Sequence, residues 1–421
     1  MRRAVLVICD GLRADMICPE WTPNLSRLAK VSRRFVNHRS VFPSTTRTTS
    51  ASIATGCQPG RHGLEGNAVA INEGHGLVAL SVGAPDFRDR LKNATGRTLR
   101  VPTLAERLRN SGGSIVFSNV SPGAAYFQDP DNYGYVYHRS GSFGPGGITI
   151  DSEVSLNVTH DSAGDTEMTK RFCDEILRKR KPALGVLWQC EPDHSQHSHI
   201  LGSPAHLKAI AGADANANSV AEVVAELNTE GEDILLFIGS DHGHETVGDI
   251  IDLDAELVAA GYKADLNTND IVVTSQGFSA LVYLADHQQQ NKAKIASFIS
   301  NLDGVGEVYS DKDLEKIGHR SGGALAIAVD GAKSDDPTEY GIRGRSAAFA
   351  NRFSMTLEAG KGEHGGLGKY EQNPFLMALG GGFQPNTIVT SESSAIDIAP
   401  TILRHLDLSA DNMDGHALTL K

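Results

Sequence analysis

Cysteine is scarce in this 421-residue chain: it occurs only as Cys9, Cys18, Cys57, Cys173 and Cys190. An odd number of thiols at irregular spacing, in a chain this long, does not build a disulfide framework. The fold must therefore rest on an apolar core, and the compartment this implies is reducing and cytoplasmic. Long hydrophobic runs are also missing. Nowhere do about 18 apolar residues follow one another, so no membrane span is expected. The run from Ala4 to Cys9, after Met1-Arg2-Arg3, is too short for a signal sequence and meets Asp10-Gly11 rather than a small-residue cleavage site. It reads as a buried strand. Basic charge is in deficit, with 39 Lys and Arg against 51 Asp and Glu and a formal net charge of -12. That balance argues against a nucleic-acid polymer or an anionic membrane as partner, and leaves homo-oligomerisation open. It also means that an anionic substrate would have to be attracted by something other than net charge.

What is present is a hydrophobic fraction of 40%, enough for a large core. Short apolar runs alternate with amphipathic stretches. Strands are expected at Ala4–Cys9, Ile115–Ser118, Ala183–Leu187, Asp233–Ile238 and Phe375–Leu379. Helices are expected at Thr22–Val31, Pro102–Asn110 and Asp165–Arg180, in an Ala-rich stretch ending near Leu227, and from the Ser44–Thr48 region to about Ala54. Ile398–Leu406 closes the series. Strands that are apolar throughout and alternate with helices imply an α/β fold: a mostly parallel central sheet covered on both faces.

Two regions break this alternation. Residues 119–162 are rich in Gly, Ser, Pro and Tyr and read as a long surface excursion. Residues 262–360 carry strands at Ala280–Leu284, Val305–Tyr309 and Ala324–Val329 and a helix at Asn291–Leu302. They read as a small α+β cap inserted into a core made of 1–261 and 361–421.

In an open parallel α/β sheet, ligands bind beyond the carboxyl ends of the strands. Asp10-Gly11 follows the first apolar run. Asp193-His194-Ser195-Gln196-His197 follows the run ending at Leu187, and Ser240-Asp241-His242-Gly243 follows the run ending at Ile238. Gly362-Glu363-His364-Gly365-Gly366 lies just before Phe375. Each fragment alone reads as a turn or a cap. Together they send three carboxylates (Asp10, Asp193, Asp241) and three imidazoles (His197, His242, His364) to one sheet edge. That is a ligand stock for two borderline divalent ions, each with an open coordination position. Beside it, Val41-Phe42-Pro43-Ser44-Thr45-Thr46-Arg47-Thr48 sets hydroxyls at a helix N-terminus, where free N–H groups and the helix dipole favour a phosphoryl group. Ser44, Thr45 and Thr48 read equally well as caps of that helix.

The ordered set resembles the alkaline phosphatase superfamily, and within it the type I phosphodiesterase and nucleotide pyrophosphatase branch. The matching pieces are Asp10-Gly11, Phe42-Pro43-Ser44-Thr45-Thr46, Thr55-Gly56-x-x-Pro59-x-x-His62-Gly63, Pro192-Asp193-x-x-x-His197, Ser240-Asp241-His242-Gly243, Gly362-x-His364-Gly365 and Asp397-Ile398-Ala399-Pro400-Thr401. The resemblance implies two Zn2+, with Mn2+ or Fe able to serve in the same ligand sets. Asp193, His197 and His364 would hold one ion; Asp10, Asp241, His242 and the oxygen of Thr46 would hold the other. It selects Thr46 as the nucleophile of a covalent phospho-threonine intermediate, with Asn67 donating to a phosphoryl oxygen. The implied activity is hydrolysis of small anionic phosphorus compounds, phosphodiesters and nucleotide pyrophosphates foremost.

Related chemistries are weaker matches. Sulfatases and phosphonate monoester hydrolases use a formylglycine from Cys-x-Pro-x-Arg, and Cys57-Gln58-Pro59-Gly60-Arg61 fits that string. It lies after the helix, however, whereas the nucleophile belongs at the helix start. Phosphonoacetate hydrolase is similar around Gln196, His197, His199 and His364-Gly365-Gly366-Leu367. It grips the substrate carboxylate with lysines, and Asn119–Tyr126 contains none. Phosphomutases of this superfamily carry different inserts. A metal-dependent binding protein is the non-enzymatic alternative, disfavoured because structural zinc sites are usually closed and cysteine-rich. Among other residues, His62 reads as structural, and His194, His199 and His244 read as polar loop residues, one of which could orient a ligand. His75 stays undecided. Arg343, Arg345 and the tyrosines at 126, 133, 135 and 137 are candidates for leaving-group contacts or plain surface.

Overall fold

The computed structural model describes residues 2–352 and 357–420. Its centre is an eight-stranded sheet whose middle strand is Arg2–Cys9. That strand pairs in parallel with Leu184–Gln189 on one side and Asp233–Gly239 on the other. Ser114–Ser118 and then Tyr135–His138 extend the parallel run on the first side. Leu376–Leu379, Arg33–Phe35 and Thr387–Val389 complete the other side.

The first strand shows why such strands read as unbroken apolar runs. Val5, Val7 and Cys9 face one core, packed with Met168, Phe172, Ile210 and Val220 from the helices Ser162–Arg171 and Pro204–Thr229 and the π-helical turns Phe172–Arg180. Ala4, Leu6 and Ile8 face a second core with Ile53, Leu104, Ala124 and Ile402. Side chains alternate between faces, and both faces are covered, so every position is apolar.

Helix boundaries follow local chemistry. The helix expected from Asp165 begins at Ser162, because Asp161 caps it by accepting a hydrogen bond from the Gly164 N–H at 2.9 Å. The helix expected from Thr22 runs Pro23–Ala29, with Thr22 in the cap position but making no side-chain cap bond. Thr22 instead accepts from the Cys18 N–H at 2.9 Å. Ile398–His405 is helical.

Two details differ from the pattern expected from sequence. Leu376–Leu379 runs antiparallel to both its neighbours. The loop that carries His364 lies at the carboxyl edge of the parallel strands, so the strand that follows must run away from that edge. The 119–162 segment is also not wholly a surface excursion. Its Tyr135–His138 stretch becomes the edge strand of the central sheet, with Val136, Tyr137 and His138 buried. Tyrosines and a histidine hid that strand from an apolar-run reading.

Within 262–360, of which 353–356 lie outside the described residues, Ile271–Ser275, Ser279–Leu284, Leu325–Gly331 and Val305–Ser310 form an antiparallel sheet. One face (Ala280, Val282, Leu284) packs on Leu253, Leu257, Ile295 and Ile299. The other (Leu281, Tyr283) packs on Phe42, Leu64, Val69 and Leu80. Arg343–Phe349 leaves this sheet and pairs in parallel with Glu245–Ile251, which also pairs with Gly362–Glu363. The segment is thus tied to the loops that follow the central strands.

Leu6 is fully buried in the middle strand. Leu6→Ala is expected to cost about 2–5 kcal/mol, read as a lower urea midpoint with an unchanged slope. A midpoint equal to wild type would contradict this placement of the core.

Candidate metal centre and active site

Four loops at one edge of the central sheet carry the site. Asp10 follows the middle strand, Asp193 and His197 belong to a short helix after Leu184–Gln189, and Asp241 and His242 follow Asp233–Gly239. His364 comes from the loop before Leu376–Leu379. Two glycines let these loops close up. Gly11 has φ +69°, and a Cβ there would lie 2.9 Å from the His244 ring. Gly365 has φ +108°, and a Cβ would lie 1.7 Å from the Gln276 carbonyl oxygen, so only glycine fits beside His364.

The ligand atoms fall into two groups. Those of Asp10, Asp241 and His242 lie within 4.8 Å of one another, as do those of Asp193, His197, His244 and His364. In the first group, His242 Nε2 is 3.4 Å from Asp10 Oδ1 and 3.2 Å from Asp241 Oδ2. In the second, Asp193 Oδ1 is 3.4 Å from His197 Nε2, 3.5 Å from His364 Nε2 and 2.7 Å from His244 Nε2. The groups adjoin, since the rings of His242 and His364 stack at 3.7 Å between centroids.

Main-chain carbonyls fix the tautomers. His364 Nδ1 donates to the Ser44 carbonyl at 2.7 Å, and His242 Nδ1 donates to the Gly243 carbonyl at 3.0 Å. A carbonyl can only accept, so each Nε2 keeps its lone pair and turns it into the site, the arrangement a metal requires. The carboxylates are half-satisfied. Trp188 Nε1 donates to Asp10 Oδ2 at 2.8 Å and the Gly11 N–H donates to Asp241 Oδ1 at 3.2 Å. Asp10 Oδ1 and Asp241 Oδ2 are buried without a hydrogen-bond partner.

The charge balance points the same way. Burial, then Asp241 and Asp193, pushes the Asp10 carboxyl well above its ordinary range. Burial also raises Asp241 and Glu363. Burial would lower His197, but the carboxylates of Glu363 and Asp193 override it and push the imidazole up to about 10. Asp193 is likewise held well below its usual range, because His197 and His244 outweigh its burial. A protein-only site therefore holds more buried negative charge than it can pair, and orphaned oxygens converge with imidazole lone pairs on the same space. Divalent cations fit both observations.

Thr46 opens the helix Thr46–Thr55, and its Oγ1 lies 3.1 Å from His242 Nε2. Thr45, in the cap position of this helix, makes no side-chain cap bond. The hydroxyls expected as caps are engaged elsewhere. Ser44 Oγ donates to Gly366 and Glu371, and Thr45 Oγ1 bonds Thr48 Oγ1 at 2.9 Å. The helix N-terminus faces a cavity of about 330 Å³ lined by Thr46, Arg47 and Asn67. Asn67 lines that cavity and accepts from the Arg47 N–H at 3.2 Å; its amide N–H groups donate to no protein atom among the described residues. Gln276, from the inserted segment, accepts from the Asn67 N–H at 2.6 Å and holds it in place.

All eight expected site residues thus gather at one place. Other residues gather there that the sequence did not assign as ligands. His244 is buried against Asp193 rather than lining a loop surface. Glu363 lies 3.5 Å from His197 Nδ1. Arg47 and Lys361 line the cavity as cations, and Arg47 has no ion-pair partner among the described residues. Adjacency to Thr46 and His364 was the only signal for Arg47 and Glu363. The rings of His194 and His160 lie 4.2 Å apart between centroids, tilted by 39°, and both residues line the cavity. His62 is fully buried and bonded to Ser52 Oγ at 2.9 Å, away from the site. His75, His199 and Arg343 are exposed, and Arg343 pairs with Asp335 at 3.0 Å. None of these three, nor Arg345 or the tyrosines at 126, 133, 135 and 137, lines the cavity.

The sequence profile described as type I phosphodiesterase / nucleotide pyrophosphatase matches residues 4–351. No curated protein matches the chain. Among solved structures, murine ectonucleotide pyrophosphatase/phosphodiesterase 5 is 18% identical with TM-score 0.68, covering 98% of this chain and 97% of that one. An inactive threonine-to-alanine variant of the murine protein, in complex with AMP, aligns with TM-score 0.69 at 17% identity, covering 99% of this chain and 97% of that one. Phosphonoacetate hydrolase from Sinorhizobium meliloti, in complex with phosphonoacetate, aligns with TM-score 0.66 at 18% identity, covering 97% of this chain and 96% of that one. The shared fold is the α/β arrangement described above.

Thermal melts test the charge argument. Saturating Zn2+ is expected to stabilise chelator-treated wild type, by about 4 kcal/mol at a thousandfold excess over Kd. Asp241→Asn removes one of the crowded carboxylates. It is expected to melt no lower than wild type without metal, and to lose most of the metal-induced gain. No gain for wild type with Zn2+, Mn2+ or Fe2+ would contradict it.

Proposed function

Because the chain belongs to the type I phosphodiesterase/nucleotide pyrophosphatase family, whose members are hydrolases of phosphoric esters, we propose that it cleaves phosphodiester or nucleotide pyrophosphate bonds through a phospho-threonine on Thr46. One observation carries this reading. A threonine hydroxyl at a helix N-terminus touches His242, and His242 stacks on His364 of the neighbouring ligand group.

Two Zn2+ are the cations this reading assigns, one to Asp193, His197 and His364 and one to Asp10, Asp241, His242 and Thr46 Oγ1, with Mn2+ or Fe as substitutes. When bound, such ions lower the pKa of a coordinated hydroxyl or water and polarise a phosphoryl oxygen. The chain's own groups do the rest. Arg47 and Lys361 attract the anion into the cavity. Asn67 donates its amide N–H to one non-bridging phosphoryl oxygen. The N–H groups at the start of Thr46–Thr55 take the charge on another, and the helix dipole reinforces them. Thr46 Oγ attacks phosphorus in line, the P–O bond to the leaving group breaks, and water then cleaves the phospho-threonine.

The AMP complex of the murine threonine-to-alanine variant supports a threonine nucleophile and a nucleotide ligand in this fold. The absence of lysine from Asn119–Tyr126 favours phosphoesters over phosphonoacetate. Five free thiols, four of them buried, suit a cytoplasmic setting, and no helix among the described residues is long and apolar enough to cross a membrane.

Thr46→Ala is expected to lower kcat on bis-p-nitrophenyl phosphate by about ten-thousand-fold or more while metal content is kept. In the wild type, diesters and dinucleotide pyrophosphates are expected to turn over faster than monoesters and phosphonoacetate. Near-wild-type hydrolysis by Thr46→Ala would remove the nucleophile assignment, and a preference for phosphonoacetate would reverse the substrate assignment.

A further inference from the structure

A second concavity, of about 810 Å³, opens where the inserted segment meets the core. Arg61, Arg97, Arg100 and Arg320 line it, against the carboxylates of Glu315 and Asp414. Asp414 is already engaged, pairing with Arg61 at 2.5 Å and accepting from the Gln58 N–H at 2.9 Å. Glu315 accepts from Ser321 Oγ at 2.5 Å. Arg97, Arg100 and Arg320 have no ion-pair partner among the described residues. Among the described residues the Arg100 guanidinium donates only to the Gly60 carbonyl, at 3.3 Å, and that of Arg97 to the Arg100 carbonyl, at 3.5 Å. Glu65 is the remaining carboxylate whose field reaches Arg100 and Arg320. A cationic cleft of this kind stands out on a chain of net charge -12.

A second observation is independent of the arginines. His319 lines the same cleft, is 3% exposed, and has both ring nitrogens buried without a well-formed hydrogen bond. Native structures rarely leave a buried imidazole unsatisfied on both sides. The walls are also held close. The Gly60 N–H donates to the Gly318 carbonyl at 2.8 Å, and a Cβ on Gly60 would lie 2.6 Å from the Arg320 main chain. Arg61 and Gln58 come from the Cys57-Gln58-Pro59-Gly60-Arg61 string, for which the catalytic reading has no use.

We propose that this cleft is a second anion site, taking a small, multiply charged phosphate compound on the seam between the inserted segment and the core. Guanidinium groups match phosphate oxygens by paired N–H donation, and His319 supplies the remaining polar group. The ring of His319 meets Phe42 edge-on at 5.7 Å between centroids. Phe42 begins the loop that ends at Thr46, so an occupant would sit one side chain away from that loop.

Calorimetric titration of inorganic pyrophosphate into the metal-loaded full-length Thr46→Ala protein, at low salt, tests the site. The Arg100→Gln/Arg320→Gln double variant in that background is expected to lose one class of binding site, or to weaken it at least tenfold. In the otherwise wild-type enzyme, the same double change is expected to leave turnover without added pyrophosphate unchanged. Citrate is expected to compete more weakly than pyrophosphate. Pyrophosphate binding that the double variant leaves intact overturns the site, and stronger binding of citrate overturns the phosphate assignment. Failure of the catalytic reading would instead remove only the class of sites that survives in the double variant.

Discussion

Asp10 and Asp241 bring two carboxylates into full burial on either side of one imidazole, and each keeps one oxygen that no protein group satisfies. Unpaired buried charge of this kind is among the most expensive features a fold can carry. It persists because the loops that bear it are pinned elsewhere. Trp188 holds Asp10, the Gly11 N–H holds Asp241, and carbonyls hold the two imidazoles. Glu371 adds a further clamp, accepting from Ser44 Oγ at 2.9 Å, from the Gly366 N–H at 2.7 Å and from the Gly368 N–H at 2.8 Å. It thereby ties the His364 loop to the loop of Thr46. Burial and the nearby Glu245 push the Glu371 carboxyl up to about 8.

The same constraint resolves the charge problem set by composition. Part of the acid excess is not surface charge but three aspartates, Asp10 and Asp241 buried and Asp193 partly so, directed at one edge of the sheet. Two divalent ions would bring four positive charges there, and the formal -12 would become about -8. The outer surface stays acidic while the catalytic cavity becomes cationic, helped by Arg47 and Lys361. Attraction of an anion is then local, and it works against the net charge rather than with it.

How much of this was legible follows from which interactions are local in sequence. The central strands were visible because burial on both faces makes every residue apolar, as in Ala4–Cys9. The loops were visible because a parallel sheet sends its site to one edge, so Asp10, Asp193 and Asp241 could be gathered before any coordinates. Four features were not visible. The direction of Leu376–Leu379 is set by where its preceding loop must lie. Tyr135–His138 reaches the sheet with aromatic and polar side chains. His244 meets Asp193 across 51 positions of sequence, and no spacing rule predicts such a contact. The cleft at Arg100 and Arg320 was hidden for the same reason, since its two walls come from separate parts of the chain.

The most direct measurement is a crystal structure of the Zn2+-loaded protein with data collected at the zinc absorption edge. Two anomalous peaks are expected, one bounded by Asp193, His197 and His364 and one bounded by Asp10, Asp241 and His242 with Thr46 Oγ1 in its coordination sphere. A single peak, or peaks away from these side chains, would contradict the account.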